Sequence, residues 1–114
     1  MDKSAYFSFT LTKNCRKYIK FCYQLKRKVD RQLLIRLEKF GFVEIYSFAK
    51  FIENAHDTFR ILVEDDYQIS GVLDDTIIHL TLAKEGKLQM KELLEDELVE
   101  WIDVGSLMHA RYLA

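Results

Sequence analysis

The spacing of the apolar residues changes along the chain, and this change constrains the fold more than any other feature of the sequence. In residues 5–12 apolar and polar side chains alternate, which is the period of a strand with one buried face. In residues 13–40 the apolar residues recur every three or four positions, which predicts one long helix. Its apolar stripe comprises Cys15, Tyr18, Cys22, Leu25, Val29, Leu33, Leu37 and Phe40. Asp30 could instead cap a second helix within this segment, and Gly41 suits the position just past the helix end.

The rest of the chain predicts short strands followed by a helix. Strands are predicted at 42–48, 58–64, 67–73 and 76–83, with an ambiguous segment at 49–56. A helix that ends at Gly105 is predicted at 87–103, and one more helical turn within 106–113. The apolar stripe of this helix comprises Met90, Leu94, Leu98 and Trp101, and Leu93 and Ile102 widen it. Two short acidic turns, Glu64-Asp65-Asp66 and Asp74-Asp75, separate the last three strands. Turns this short require antiparallel neighbours. The sequence therefore predicts a single α+β domain over 1–114. It has a mixed, mostly antiparallel sheet of about five strands in the order β-α-β-β-β-β-α, with two main helices packed on one face.

Hydropathy and cysteine spacing indicate the compartment. No stretch reaches the roughly 18 apolar residues that a membrane span needs, and the first residues lack the pattern of a secretion signal. Cys15 and Cys22 lie two turns apart in the predicted helix, about 10.5 Å, which exceeds the roughly 7 Å limit for a disulfide. We therefore expect two buried free thiols and a reducing, cytoplasmic location.

Charge is distributed very unevenly along the chain. The formal net charge is −1, but residues 1–50 contain twelve Lys and Arg against four Asp and Glu, a net of +8. Residues 51–114 contain five Lys and Arg against fourteen Asp and Glu, a net of −9. Each half therefore has a strong sign, and this asymmetry is the main functional signal in the sequence.

The sequence contains no pattern that indicates catalysis or metal binding. His56, His79 and His109 fall in different predicted elements, and no Cys-x-x-Cys, His-Glu-x-x-His or EF-hand spacing occurs. Ser70-Gly71 lies in a strand and lacks the elbow of an activated serine. The two acidic turns lie at opposite ends of one strand, so they cannot form one acid–base site. We therefore expect no enzymatic activity, no cofactor and no metal.

Two charged surfaces are the candidate binding sites. The acidic one comprises Glu64, Asp65, Asp66, Asp74, Asp75, Glu92, Asp96 and Asp103. The basic one is a stripe along the predicted helix at Lys13, Lys17, Lys20, Arg27 and Arg31, with Tyr23 available to stack on an unpaired base.

Three hypotheses follow from these surfaces. The first is a protein-binding inhibitor, similar in size and polarity to immunity and anti-defence proteins, which covers a basic target with its acidic half. The alternative is a nucleic-acid-binding module that uses the basic stripe. In the third hypothesis the chain forms a homodimer, in which the basic half of one copy contacts the acidic half of the other. The same charges would also be explained without a partner if the basic helix face is solvated and partly neutralises the acidic C-terminal helix beside it.

Overall fold

The computed structural model describes residues 3–47, 56–83 and 88–113. Its elements, in chain order, are β1 (Phe7–Asn14), β2 (Tyr18–Leu25), α1 (Arg31–Leu37), a 3-10 turn (Glu38–Phe40), β3 (Val43–Tyr46), β4 (Thr58–Val63), β5 (Tyr67–Val72), β6 (Ile77–Ala83) and α2 (Leu88–Leu113). The prediction for 49–56 falls almost entirely outside the described residues. No helix in the described ranges combines the length and the apolar character needed to cross a membrane.

The described strands form one six-stranded sheet in the order β1-β2-β6-β5-β4-β3. Every neighbouring pair in it is antiparallel. The α+β fold and the closely spaced strands β4, β5 and β6 are therefore confirmed. The sheet has six strands where about five were expected, and no parallel pair among the described strands makes it mixed.

The long helix predicted for 13–40 is wrong. Its first half is β2, which pairs with β1 on one side and β6 on the other. Ile19, Phe21, Tyr23 and Leu25 alternate along β2 and point to one face, where Tyr23 and Leu25 are buried. This period of two competes with the period of 3.6 in the same residues, and pairing with β1 and with the distant strand β6 selects it.

The second half of that segment contains the shorter helix α1, and Asp30 caps it as the alternative prediction proposed. The backbone of Asp30 is extended, and its Oδ1 accepts a hydrogen bond of 3.0 Å from the backbone N–H of Leu33. This bond satisfies one of the free N–H groups at the helix start. The same carboxylate oxygen accepts a bond of 3.1 Å from Trp101 Nε1 on α2. Asp30 therefore both begins α1 and attaches it to α2.

Both helices pack on the same face of the sheet, as expected. Inward-facing strand residues form the buried sheet side of the core: Phe21, Tyr23, Leu25, Phe59, Ile61, Ile69, Ile78, Leu80 and Leu82. From α2, the predicted stripe Met90, Leu94, Leu98 and Trp101 is buried against them. Leu93, which was expected to widen this stripe, is 49% exposed.

Helix α2 is longer than predicted because Gly105 does not end it. The helix continues to Leu113. A side chain at 105 would begin only 2.5 Å from Nη1 of Arg27, and that nitrogen donates a hydrogen bond of 2.5 Å to the carbonyl oxygen of Trp101. Glycine at this position therefore lets the Arg27 guanidinium reach the helix backbone.

Candidate binding surface

The acidic helix α2 is largely neutralised within the molecule. Near its middle, Glu97 is buried and accepts hydrogen bonds of 3.0 Å from Arg36 and 2.6 Å from Lys39. Arg36 also lies 3.3 Å from Glu100. Lys3 binds Asp96 at 3.0 Å. The cations come mainly from the basic half of the sequence, so two regions of opposite sign along the chain are in contact in the fold.

A second carboxylate of α2 lies in a polar network beneath the edge of the sheet. Glu95 is buried and accepts a hydrogen bond of 2.8 Å from the Tyr23 hydroxyl, and it also contacts Lys91 and Lys3. Burial, and then the bond to Glu95, raises the pKa of Tyr23. The Lys91 ammonium lies 3.7 Å from the centre of the Phe9 ring. Tyr23 is 0% exposed, so the expectation that it stacks on an unpaired base is wrong.

The predicted acidic surface is distributed over three places. Glu64, Asp65 and Asp66 form the β4–β5 turn, and Asp74 and Asp75 lie in the β5–β6 turn at the other end of β5. The remaining residues are Glu92, Asp96 and Asp103 on α2. Asp103 accepts a hydrogen bond of 3.3 Å from Tyr6. These eight residues therefore do not form one continuous acidic face.

The predicted basic stripe is also divided, because the helix that was to present it does not exist. Arg27 and Arg31 follow β2 and form ion pairs with Asp30 at 2.7 Å and with Asp57 at 3.6 Å. The other three residues, Lys13, Lys17 and Lys20, lie at the opposite end of β2, on the hairpin that joins it to β1. The structure thus brings together three of the five predicted cations.

Four cations cluster on this hairpin, which we call the basic hairpin: Lys13, Arg16, Lys17 and Lys20. Lys13 and Lys20 are register partners on adjacent strands, so two like charges lie side by side. The Lys13 ammonium lies 5.5 Å from the centre of the Tyr18 ring. None of the four forms an ion pair with a carboxylate in the described ranges 3–47, 56–83 and 88–105.

The basic hairpin adjoins the sheet face that points away from the helices, which we call the open face. Strand alternation and register place these side chains on it: Tyr18, Lys20, Cys22 and Gln24 from β2, His79 and Thr81 from β6, Gln68 and Ser70 from β5, Arg60 and Leu62 from β4, and Glu44 and Tyr46 from β3. Glu44 is the one carboxylate that the described strands project to this face, and it binds Arg60 at 3.0 Å. The strand residues of the open face are therefore polar with a positive balance, and Asp65 and Asp66 of the β4–β5 turn lie beside Lys17 and Tyr18 at its margin.

One cross-strand row of the open face contains polar atoms without partners. Arg60, Ser70, His79 and Cys22 lie side by side on β4, β5, β6 and β2. Arg60 Nε and His79 Nδ1 are shielded from solvent and have no hydrogen-bond partner among the described residues. Burial, and secondarily the charge of Lys20, lowers the pKa of His79.

The two cysteines are placed differently from the prediction. Both are free thiols, and both are only half-buried. Cys15 is in the turn of the basic hairpin, and Cys22 points to the open face rather than into the core. Within the part of the chain that the structure describes, no three His, Cys, Asp or Glu side chains approach closely enough to bind a metal ion.

No protein-family model matches this chain, and neither the curated proteins nor the solved structures contain a significant match to it. Function must therefore be inferred from the chain's own residues. Sequence reasoning missed the open face because the residues that form it are far apart in sequence. The signal for its first strand was present, since Tyr18, Lys20, Cys22 and Gln24 alternate with the apolar residues of β2.

Proposed function

We propose that the chain is a non-catalytic nucleic-acid-binding module, with the basic hairpin and the adjoining open face as its binding surface. The observation that supports this most strongly is the pairing of Lys13 with Lys20. Like charges directly opposite each other on neighbouring strands destabilise a sheet. Arg16 and Lys17 in the connecting turn bring two more cations to the same hairpin. A polyanion that lies across the hairpin would turn this unfavourable arrangement into a favourable one.

Protection of a sheet edge does not account for these charges. Lysines on edge strands hinder pairing with other chains, and this explains Lys13, because β1 is an edge of the sheet. Lys20, however, is on β2, which is hydrogen-bonded to β1 and β6. Its charge has no such structural use. Among the described side chains of the acidic helix, Glu95, Asp96, Glu97 and Glu100 bind cations, which leaves Glu92 and Asp103 without an ion pair.

The test is a charge reversal with a matched control. The hairpin variant is Lys13→Glu/Lys17→Glu/Lys20→Glu. It keeps a like-charge pair at positions 13 and 20, so the repulsion between these register partners is nearly unchanged. The control variant is Lys26→Glu/Lys28→Glu/Arg31→Glu. It changes the net charge equally at exposed positions beyond the other end of β2. Binding of a fluorescent oligonucleotide is measured by anisotropy over a salt series.

We expect the hairpin variant to lose at least about tenfold in affinity at low salt, and the control to change about threefold or less. Four phosphate contacts predict a slope of log K against log salt of about −3 for a single strand. An equal loss in both variants would mean that only net charge matters. Absence of binding by the folded wild-type chain would refute the proposal.

A second candidate is the inhibitor of a basic protein target. Its support is the β4–β5 turn, where Glu64, Asp65 and Asp66 form no ion pair with a described residue. Asp65 has a φ of +61°, so the matching variant is Glu64→Lys/Asp65→Asn, because asparagine tolerates that backbone conformation. The inhibitor proposal requires that a basic protein be captured from cell extract by the wild type and not by this variant.

Light scattering distinguishes the homodimer hypothesis from both candidate functions. If the basic hairpin of one copy binds the acidic turn of another, wild type is a dimer that dissociates in salt. Both the hairpin variant and the turn variant would then be monomers. A wild-type monomer at low salt excludes this arrangement.

A further inference from the structure

We infer that the ligand of this surface is single-stranded nucleic acid, with its backbone on the basic hairpin, one base against Tyr18, and the following nucleotides over the open face. The inference rests on the proposed function and narrows its ligand class. It follows from the shape of the surface, from the position of Tyr18 and from the kinds of side chain beside it.

The shape of the surface disfavours a duplex. A protein reads the major groove of a duplex, about 12 Å wide, by inserting a helix or a two-stranded ribbon. The pairing of β2 with β6 extends to Tyr18, so only the turn at residues 15–17 extends beyond the paired strands. The six strands together are about 24 Å across, at about 4.8 Å between neighbours. A surface of this width cannot enter a groove, but a single strand can lie along it.

Tyr18 is placed where a base would meet the hairpin. It is the first residue of β2, half-buried, and on the same face as Lys20. Lys13 already lies over its ring, which shows that a cation can reach the ring face. Such an exposed cation–π contact is worth about 0.5–1 kcal/mol, whereas base stacking on an aromatic ring is worth about 1–3 kcal/mol. A base can therefore displace Lys13, which then binds the adjacent phosphate.

The residues beyond Tyr18 suit bases rather than further phosphates. In register, Lys20 is followed by Thr81 on β6 and Gln68 on β5, and then by Leu62 on β4, which is 48% exposed. Uncharged hydrogen-bonding groups and an exposed apolar side chain can contact base edges and faces of any sequence. In the next row, Arg60 Nε and His79 Nδ1 have no hydrogen-bond partner in the described part of the chain, and a buried polar group without a partner requires an explanation. An oxygen acceptor of a bound strand would supply a partner for Arg60 Nε, and a donor or acceptor of a base would supply one for His79 Nδ1, once the side chains adjust.

The experiment compares ligands and Tyr18 variants by fluorescence anisotropy at one low salt concentration. The ligands are labelled oligothymidine of about 20 nucleotides, the same strand annealed to oligoadenosine, and an abasic strand of equal length, which keeps the phosphates and lacks the bases. The variants are Tyr18→Leu and the conservative Tyr18→Phe. Circular dichroism and urea unfolding verify that each variant is folded.

We expect the single strand to bind at least about tenfold more tightly than the duplex and the abasic strand. Tyr18→Leu should lose about 5- to 150-fold in affinity for the single strand, the equivalent of one stacked base, and Tyr18→Phe should retain it. The salt slope should be unchanged by Tyr18→Leu, because no phosphate contact is removed.

The possible failures are distinguishable. Equal binding of single strand, duplex and abasic strand, with no effect of Tyr18→Leu but a clear loss in the hairpin variant, would overturn this inference and leave the proposed function standing. No binding of any of the three ligands by folded wild type would overturn both. Binding of the single strand that is unaffected by the hairpin variant would show that the ligand lies elsewhere.

Discussion

Helix α2 and the basic hairpin are both strongly charged in sequence, yet the fold treats them in opposite ways. The carboxylates of α2 bind cations brought from distant parts of the chain, as Glu97 does with Arg36 and Lys39. Two cations of the hairpin, Lys13 and Lys20, are instead register partners on adjacent strands and form no ion pair with a described carboxylate. Net charge along a sequence therefore does not locate a charged binding surface. What matters is which charges the fold leaves without partners.

The reason for this difference is topological. Helix α2 packs beside α1 and the N-terminal segment, so the acidic half of the sequence lies against part of the basic half. The cations of the β1–β2 hairpin lie in its turn or on the open face, which is the face of the sheet opposite the helices. Charges in α2 therefore contribute to stability, while charges in the hairpin are available for a ligand.

The largest effect is expected at the anchor of α2. Trp101 is 1% exposed, donates a hydrogen bond to Asp30 and has the Arg27 guanidinium 4.5 Å from its ring centre. Trp101→Ala should lower the free energy of unfolding by about 3–5 kcal/mol, measured by circular dichroism in urea. Leu93→Ala, at a largely exposed position of the same helix, should change it by about 0.5 kcal/mol or less. Equal effects of the two substitutions would mean that α2 is not anchored through Trp101.

A smaller effect is expected at the internal ion pairs. Glu97→Gln keeps the shape of the side chain and removes the charge that Arg36 and Lys39 bind. Both cations are partly solvated, so we expect a loss of about 1–2 kcal/mol in unfolding free energy, below that of a fully buried pair. The control is Glu92→Gln, at an exposed glutamate of the same helix, which should change stability by about 0.5 kcal/mol or less. A Glu97→Gln variant as stable as wild type would show that α2 is not neutralised in the way described.

The parts of the fold that depend on local signals were predictable from the sequence. The acidic turns separated β4, β5 and β6, and the stripe of Met90, Leu94 and Leu98 identified α2. The segment of β2 was not assigned correctly because its apolar residues satisfy two periods at once. Its neighbours in the sheet, β1 and β6, decide between them, and one of these is more than fifty residues away in sequence.

The candidate site was predictable only in part for the same reason. Three of the five predicted cations lie together because they are close in sequence on one hairpin. Arg60, Ser70 and His79 could not be added to them from the sequence, since their alignment is a property of strand register. The acidic residues were misleading because their partners, such as Lys3 for Asp96, are remote in sequence.

The influence of the hairpin cation Lys20 on the open face can be tested through the protonation of His79. Burial, and then the charge of Lys20, lowers the pKa of His79. The unfolded chain therefore binds more protons as the pH falls below about 6.5, and acidification destabilises the fold. Lys20→Gln should raise the pKa of His79 without restoring its ordinary value, as measured by NMR titration of the ring. If Lys20→Gln leaves the pKa of His79 unchanged, the charge of Lys20 does not reach His79 on the open face.

The central claim, that the hairpin cations serve a ligand at the expense of the fold, is tested most directly by measuring stability and binding on one variant. In Lys20→Gln the like-charge pair is removed while the contact between Lys13 and the Tyr18 ring is kept, and Lys28→Gln is the control. We predict that the first variant gains about 0.2–1 kcal/mol in unfolding free energy at low salt and that this gain fades at high salt. The slope of log K against log salt for oligothymidine should become shallower by about 0.7, which corresponds to one lost phosphate contact. A variant that is less stable than wild type, or that binds the oligonucleotide as tightly as wild type does, would contradict the account.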